Sequence, residues 1–137
     1  MTAEDLCKEF EGCKLYAYQD IAGVWTIGWG HTGHDVAENL TWTQQEADDA
    51  LSADLARARQ QLLEVSPEVT GGTLEALTDF VFNLGIGNYR TSTLCQQVNA
   101  NDLEGAKQSI LSWDHSGGKV IPGLLRRRQT EAALLGT

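Results

Sequence analysis

The sequence predicts an α+β protein in which a small antiparallel β-hairpin lobe lies beside a larger helical lobe. Runs rich in β-branched and aromatic residues occur only near the start, in LYAYQD and VWTIGWG, and the later patterns are helical. The length of 137 residues, 42% of them apolar, suits one domain with its own core. We therefore expect a single domain over residues 1–137, with a β-containing lobe at about 13–42, a helical body from 1–12 and 43–137, and a ligand cleft between the lobes.

The first elements are indicated by local chemistry. Thr2 with Asp5 three positions later, followed by an apolar pair at i, i+4, predicts a capped helix that ends near Gly12. The two strand-like runs that follow are separated by a turn at 21–23, which predicts a hairpin. GWGHTGH is then expected to break regular structure.

The remaining sequence patterns predict helices. Thr43 and Glu46 form a second capping-box pattern before an apolar periodicity that runs as far as Val65. Ser66-Pro67 and Gly71-Gly72 are expected to interrupt this helix. A core helix with a broad apolar face is then predicted from about Thr73 to GIGN. Three shorter helices are predicted from Ser92, from Asp102 to Trp113, and from Pro122 to Leu135.

The chain has a net charge of −9, and its charged residues are distributed unevenly along the sequence. Segment 35–79 carries −8, whereas 80–137 carries +2, so we expect the last third, with Arg126, Arg127 and Arg128, to meet any anionic partner. The overall charge argues against nucleic acid as a partner. No apolar run is long enough for a spanning helix and no export signal follows Met1, so no stable membrane association is expected.

Three polar groups gather around the predicted hairpin. Glu11 closes the first helix, Asp20 follows the first strand, and Thr26 lies within the second. Two carboxylates and a hydroxyl at the ends of regular elements can serve as an acid, a base and a water-positioning group. A chain with nineteen acidic residues forms many such pairs by chance, so the pattern alone leaves the assignment open.

The run from Glu11 to Thr32 resembles the catalytic segment of the phage-type lysozymes, glycoside hydrolase family twenty-four, which are related to T-even phage lysozyme. Its spacing is E-G-x-x-L-x-A-Y-x-D-x-x-G-x-x-T-I-G-x-G-H-T, which matches at thirteen of 22 positions. FNLGIGNYRTSTL is similar to the central helix and following turn of the family, and GLLRRRQTEAALL is similar to its C-terminal helix.

This resemblance implies a mainly helical lysozyme-like fold and hydrolysis of the β-1,4 bond between N-acetylmuramic acid and N-acetylglucosamine in peptidoglycan, with inversion at the anomeric carbon. Glu11 would be the general acid, Asp20 the carboxylate that activates water, and Thr26 a group that holds this water. Candidate substrate-binding residues are Gly30, His31 and Thr32, of which His31 is expected to brace the active-site loop. No cofactor and no metal is expected, because no histidine or cysteine has metal-ligand spacing.

Two alternatives remain open. A lytic transglycosylase cleaves the same bond without an activated water, and a catalytically silent lysozyme-like module would only bind glycan or build a larger assembly. The expected partner is bacterial peptidoglycan, and the expected state is a monomer. The resemblance places the protein in the host cytoplasm before release and at the cell wall in the periplasm afterwards. Either a separate pore protein releases it, or an anchoring segment precedes this sequence in the natural protein.

Overall fold

Helices form most of the protein, and the computed structural model describes every residue from Met1 to Thr137. The first helix is α1, Ala3–Phe10, and the long helix α2 covers Gln44–Val65. Five further helices complete the helical body: α3 (Gly71–Leu84), α4 (Ile86–Arg90), α5 (Thr93–Asn99), α6 (Leu103–Ile110) and α7 (Pro122–Leu134). None of the helices combines the length and apolar character that crossing a membrane requires.

The predicted hairpin is part of a three-stranded antiparallel sheet in the order β1 (Lys14–Gln19), β2 (Trp25–Gly28) and β3 (His31–Thr32). The third strand lies in the segment expected to be irregular, because the positive φ angles of Gly28 and Gly30 turn the chain back onto β2. A second hairpin, β4 (His115–Ser116) and β5 (Lys119–Val120), was not predicted.

Both predicted capping boxes are present. The hydroxyl of Thr2 accepts from the Asp5 amide while the Asp5 carboxylate accepts from the Thr2 amide, and Thr43 and Glu46 make the same reciprocal pair at α2. Each pair satisfies two amides that a helix start leaves without intrahelical partners.

The predicted break between helices is present, since α2 ends at Val65 and Ser66 is its C-cap. The assignment of Gly71 and Gly72 to this break is wrong, because both residues lie in the first turn of α3. The Gly72 amide donates to the Thr137 carbonyl over 3.0 Å. A side chain at Gly71 would bring its Cβ to 2.7 Å from the same carbonyl oxygen, and Gly71 has a φ of +57°. Glycine is therefore required here because the end of the chain packs against the start of α3.

The core is built around α3, as the breadth of its apolar face predicts. Its buried Leu77, Phe80 and Val81 pack in one cluster with side chains from α2, α5, α6 and α7. A smaller buried cluster joins α1 to α2 through Ala3, Cys7, Leu51 and Leu55. Because α1 is fixed on both α2 and α3, its last residues are held in a defined place beside the sheet.

Candidate active site

The Glu11 carboxylate is anchored through one oxygen and open at the other. Glu11 is the C-cap of α1, and its amide donates to the Cys7 carbonyl over 2.7 Å. Its Oε2 accepts from Nη1 of Arg127 over 2.9 Å. Its Oε1 lies against Gly30, so closely that a Cβ at Gly30 would be only 2.7 Å away. A side chain that is 24% exposed thus presents one free oxygen next to the sheet.

Arg127 is shared between two carboxylates. Its Nε and Nη2 donate to the two oxygens of Asp79 over 2.9 and 2.7 Å, and only Nη1 is directed to Glu11. Burial opposes the charged form, but the bonds to Asp79 and Glu11 outweigh it and raise the pKa of Arg127 above its ordinary value. Burial also disfavours the charge on Asp79, yet Arg127 holds the pKa of this carboxyl below its usual range.

The pairing of Arg127 with both Asp79 and Glu11 determines the electrostatic environment of Glu11. The bidentate pair with Asp79 neutralises the guanidinium, so Glu11 meets a hydrogen-bond donor rather than an unbalanced cation. Such a donor holds Oε2 in place whether or not Oε1 carries a proton. The arrangement is therefore compatible with a fixed general acid.

The two carboxylate oxygens of Asp20 also differ in their contacts, because only Oδ1 accepts hydrogen bonds from the protein. Its Oδ1 accepts from the backbone amides of Ala22 and Val24, both over 2.9 Å. These two donors stabilise the negative charge and fix the carboxylate at the start of the turn between β1 and β2. The structure gives Oδ2 no protein donor, and the residue is exposed, so this oxygen is accessible to water.

Thr26 on β2 and Tyr18 on β1 are directly paired on these two neighbouring antiparallel strands. The Thr26 hydroxyl donates to the Val24 carbonyl over 3.0 Å, so its oxygen can still accept a hydrogen bond. Burial and the nearby charges of Glu11 and Asp20 raise the pKa of Tyr18. Sequence reasoning counted Tyr18 only as a match to the family pattern, although its phenol lies near both carboxylates.

The three candidate binding residues lie where the chain turns from β2 into β3. Nδ1 of His31 is 2.7 Å from Asp54 on α2, and Nε2 is 3.0 Å from Asp35. Burial opposes the imidazolium, but these two hydrogen bonds outweigh it and raise the pKa of His31. Gly30 and Thr32 line a cavity of about 170 Å³ between the sheet and helices α2 and α3.

The expectation of a basic wall in the last third is wrong for two of its three arginines, whereas Arg126 is exposed and lines the groove that contains Glu11. Arg127 is 2% exposed and Arg128 is fully buried, so neither can meet a polymer in solution. Nε of Arg128 lies 2.7 Å from Glu131, which is also fully buried, and Nη2 donates to Asn83 over 2.8 Å. Arg127, by contrast, is directed towards Glu11 at the end of α1 and Asp79 on α3.

Asp79 and Arg127 are the site residues that sequence reasoning missed. Arg127 was read as a surface charge, and Asp79 was counted only in the acidic segment. A polar residue within the broad apolar face of a core helix was the available signal for Asp79. Its partner at position 127, 48 residues away, has no such signal in the sequence.

The cysteines and possible metal ligands form no further centre. All three cysteines are free thiols, and Cys7 and Cys95 are buried. The Cys7 thiol donates to Asp79 over 3.1 Å, and burial raises its pKa. No group of three or more histidine, cysteine or acidic side chains is arranged to hold a metal ion.

The fold recurs in solved structures. The muramidase domain of SpmX from Asticaccaulis excentricus superposes with a TM-score of 0.86 at 30% identity, over 98% of this chain and 95% of that one. The endolysin from Escherichia coli O157:H7 phage FAHEc1 gives 0.85 at 29% identity, over 98% and 90%. The protein is thus a lysozyme-class glycosidase, an enzyme that hydrolyses peptidoglycan.

Sequence comparison defines the family. Residues 8–131 match the family model described as phage lysozyme. A SAR-endolysin of Enterobacteria phage PA-2 is 42% identical over 125 residues, which is 88% of this chain and 74% of the relative. The chain belongs to the phage lysozyme family.

Proposed function

We propose that the protein hydrolyses the β-1,4 bond between N-acetylmuramic acid and N-acetylglucosamine, with Glu11 as general acid and Asp20 as general base. The observation that carries this proposal is the pair of half-anchored carboxylates. Each has one oxygen fixed by protein donors and one oxygen left for chemistry. Family membership supports the same bond as the target.

Glu11 acts first in this mechanism. The proton on Oε1 passes to the glycosidic oxygen as the bond to the anomeric carbon breaks, and the leaving sugar departs as an alcohol. Arg127 keeps Oε2 in place and stabilises the carboxylate that remains after the transfer. Asp79 balances the charge of Arg127, so Glu11 meets a hydrogen-bond donor whose charge is already paired.

Asp20 and Thr26 supply the nucleophile. A water molecule donates one hydrogen to Oδ2 of Asp20 and the other to the Thr26 oxygen, whose own proton is committed to the Val24 carbonyl. The lone pair of this water then faces the anomeric carbon, and Asp20 accepts the proton as the new bond forms. Attack from the side opposite Glu11 inverts the anomeric configuration.

The test compares single substitutions on purified peptidoglycan, with released muropeptides identified by mass spectrometry. Glu11→Gln and Asp20→Asn should each lower kcat by about 100- to 10,000-fold, and Thr26→Ala should have a smaller effect. Glu9→Gln is the matched control, because Glu9 is an exposed neighbour on the same helix. Half of the wild-type rate in Glu11→Gln or normal hydrolysis in Asp20→Asn would refute the assigned roles.

Two product measurements separate the mechanisms. In heavy-oxygen water, hydrolysis places the label at the new reducing end, whereas a transglycosylase releases an unlabelled anhydro sugar. Proton NMR of the first product should show the α anomer if inversion occurs. A covalent glycosyl adduct on Asp20 would instead establish retention.

We also propose that the protein works as a monomer on the cell wall in the periplasm. Relatives named endolysin and SAR-endolysin in phages support the periplasmic location. Size-exclusion chromatography tests the monomer. Whether a separate pore protein or an anchoring segment gives access to the wall is tested by expression of the natural protein in cells with and without a pore-forming protein, because only the first route makes lysis depend on the pore.

A further inference from the structure

Glu131 on α7 is a fully buried carboxyl that the proposed mechanism does not use. Arg128, which is also fully buried, has its Nε 2.7 Å from Oε1 of Glu131 and donates from Nη2 to Oε2 over 3.0 Å. The Glu131 carboxyl also forms a side-chain hydrogen bond with Asp79 on α3. Glu131 therefore lies between a guanidinium that favours its charged form and a carboxylate that favours its protonated form.

The contact between Glu131 and Asp79 contains a proton. Two ionised carboxylates are both acceptors, so one of them must be protonated before they can hydrogen bond to each other. Asp79 is held as the ionised partner, because it accepts from Nε and Nη2 of Arg127 and from the Cys7 thiol. The proton of this contact is thus on Glu131. Burial, together with the hydrogen bond to Asp79, raises the pKa of Glu131 well above its ordinary value.

A continuous series of contacts joins Glu131 to the proposed catalytic acid. Asp79 contacts Glu131 on one side and binds Arg127 over 2.9 and 2.7 Å on the other. Nη1 of Arg127 then donates to Oε2 of Glu11 over 2.9 Å. The side chains of Asp79 and Arg127 are 0% and 3% exposed, so water screens little of the interaction between the two ends. A change of charge at Glu131 therefore changes the electrostatic potential at Glu11.

The charges of this buried cluster balance when it holds one proton. The cluster consists of two guanidiniums and three carboxyls, namely Arg127, Arg128, Glu11, Asp79 and Glu131. With Asp79 ionised, the cluster is neutral if either Glu11 or Glu131 is protonated. It is anionic if neither is protonated and cationic if both are. An unbalanced charge is unfavourable in a buried site, so the states with one proton are favoured.

The other titratable groups near the cluster do not change this balance. The Cys7 thiol on α1 and the Tyr18 phenol on β1 have raised pKa values, so both are neutral at physiological pH. Glu9 and Arg126 line the groove on the open side of the catalytic acid, and both are exposed. Asp20 is exposed as well. Water and salt screen these exposed charges much more than the buried ones.

We propose that Glu131 is a positioning residue for the general acid: it and Glu11 hold one proton between them, and ionisation of Glu131 lets Glu11 keep that proton. The inference rests on the proposed function and states how the acid is kept protonated. Glu131 can release its proton because Arg128 already faces both of its oxygens. When substrate covers Glu11 and excludes water from it, the cluster with Glu11 protonated and Glu131 ionised remains neutral.

The test compares Glu131→Gln, Glu131→Asp and the control Glu9→Gln. Glutamine keeps the shape of Glu131 and can donate to Asp79 and accept from Arg128, but it cannot ionise. Aspartate keeps an ionisable group at position 131. Glu9→Gln removes one exposed carboxylate from the helix that ends at the catalytic acid. For each variant, kcat on purified peptidoglycan is measured from about pH 4 to about pH 9, and side-chain carboxyl titrations are followed by carbon-13 NMR.

We expect Glu131→Gln to retain kcat at acidic pH and to lose it at lower pH than the wild type. In this variant a protonated Glu11 leaves the cluster cationic, so Glu11 gives up its proton more readily. A shift of the alkaline limb by about one pH unit gives about tenfold lower kcat above that limb. By NMR, Glu11 and Glu131 of the wild type should titrate together in two steps, whereas Glu11 in Glu131→Gln should titrate in one step at lower pH.

Three results would overturn the inference. The first is an unchanged alkaline limb in Glu131→Gln with a Tm near that of the wild type. The second is an equal shift in Glu131→Asp, which would make the effect one of packing rather than of ionisation. The third is an equal shift in Glu9→Gln, which would reduce the effect to net charge.

A reciprocal measurement covers the case in which Glu131→Gln does not fold. In Glu11→Gln the carboxyl of Glu131 should titrate in a single step, because its coupled partner has been removed. The same titration of Glu131 in this variant and in the wild type would exclude a shared proton. If muropeptide release does not depend on Glu11, the proposed function fails, whereas the NMR titrations still decide whether the two carboxyls are coupled.

Discussion

Replacement of Gly30 by alanine should damage catalysis far more than folding. The new Cβ would lie 2.7 Å from Oε1 and 3.1 Å from Cδ of Glu11. Ordinary contact begins at 3.4 Å, so the carboxylate would have to move by about 0.7 Å. Arg127 holds the other oxygen at 2.9 Å, so this movement also stretches the bond that orients the acid.

The size of the effect follows from this displacement. A misplacement of about 1 Å can cost a factor of about 100 in rate, so we expect kcat to fall by about 10- to 100-fold. The backbone contributes separately, because Gly30 has a φ of +88° and a side chain in the left-handed region costs about 1–2 kcal/mol of folding free energy. The new Cβ meets only the far end of the Glu11 side chain, which is partly exposed at the cleft, so the contact itself should add little to this loss of stability.

Gly136→Ala separates the two contributions. Gly136 has a φ of +87°, nearly that of Gly30, but its added Cβ would meet only Leu103 at an ordinary 3.5 Å. Both variants should lose similar Tm, measured by circular dichroism, while only Gly30→Ala loses kcat in the muropeptide assay. Wild-type kcat in Gly30→Ala, or an equal loss of kcat in Gly136→Ala, would show that the contact with Glu11 does not control the rate.

The remaining predictions concern buried charge. Asp79→Asn should lower the free energy of unfolding in urea by about 3–5 kcal/mol, because it leaves a buried guanidinium without its main partner; a loss below 1 kcal/mol would contradict this. Arg128→Met should lower the free energy of unfolding by a similar amount, because it leaves the buried Glu131 without its partner. Adding Glu131→Leu should restore most of this free energy, and a double variant that is no more stable than Arg128→Met would contradict the prediction. The pKa of His31 measured by NMR should lie above about 6.5, so its stabilising contribution is complete below about pH 6.5 and is lost as pH rises through the folded pKa. Asp54→Asn should bring this pKa down, and an unchanged titration would exclude Asp54 as its cause.

The elements that the sequence predicted correctly are specified by residues that are close together along the chain. A capping box joins residues three positions apart, so the starts of α1 and α2 can be read from Thr2, Asp5, Thr43 and Glu46 alone. The start of α3 could not be read in this way. Its glycines have the usual signature of a chain break, and what selects them is the packing of Thr137, which no local pattern reveals.

The same distinction applies to the candidate site. Glu11, Asp20 and Thr26 lie within one short segment, and the resemblance of that segment to the phage-type lysozymes assigned their roles where spacing alone left them open. The spacing could not show which oxygen of each carboxylate is free. That property depends on the donors that reach each oxygen, and one of them, on Arg127, comes from 116 residues away.

The amino-acid sequence by itself determined the family, the hairpin, most of the helices and the segment that carries the proposed chemistry, because these depend on side chains that are close along the chain. The tertiary structure determined which charged side chains are buried and which are exposed. A run of three arginines is a solvated patch or a buried network according to which carboxylates face it. Here Arg127 and Arg128 are buried because they pair with Asp79 and Glu131, and only Arg126 stays exposed, in the groove that contains Glu11.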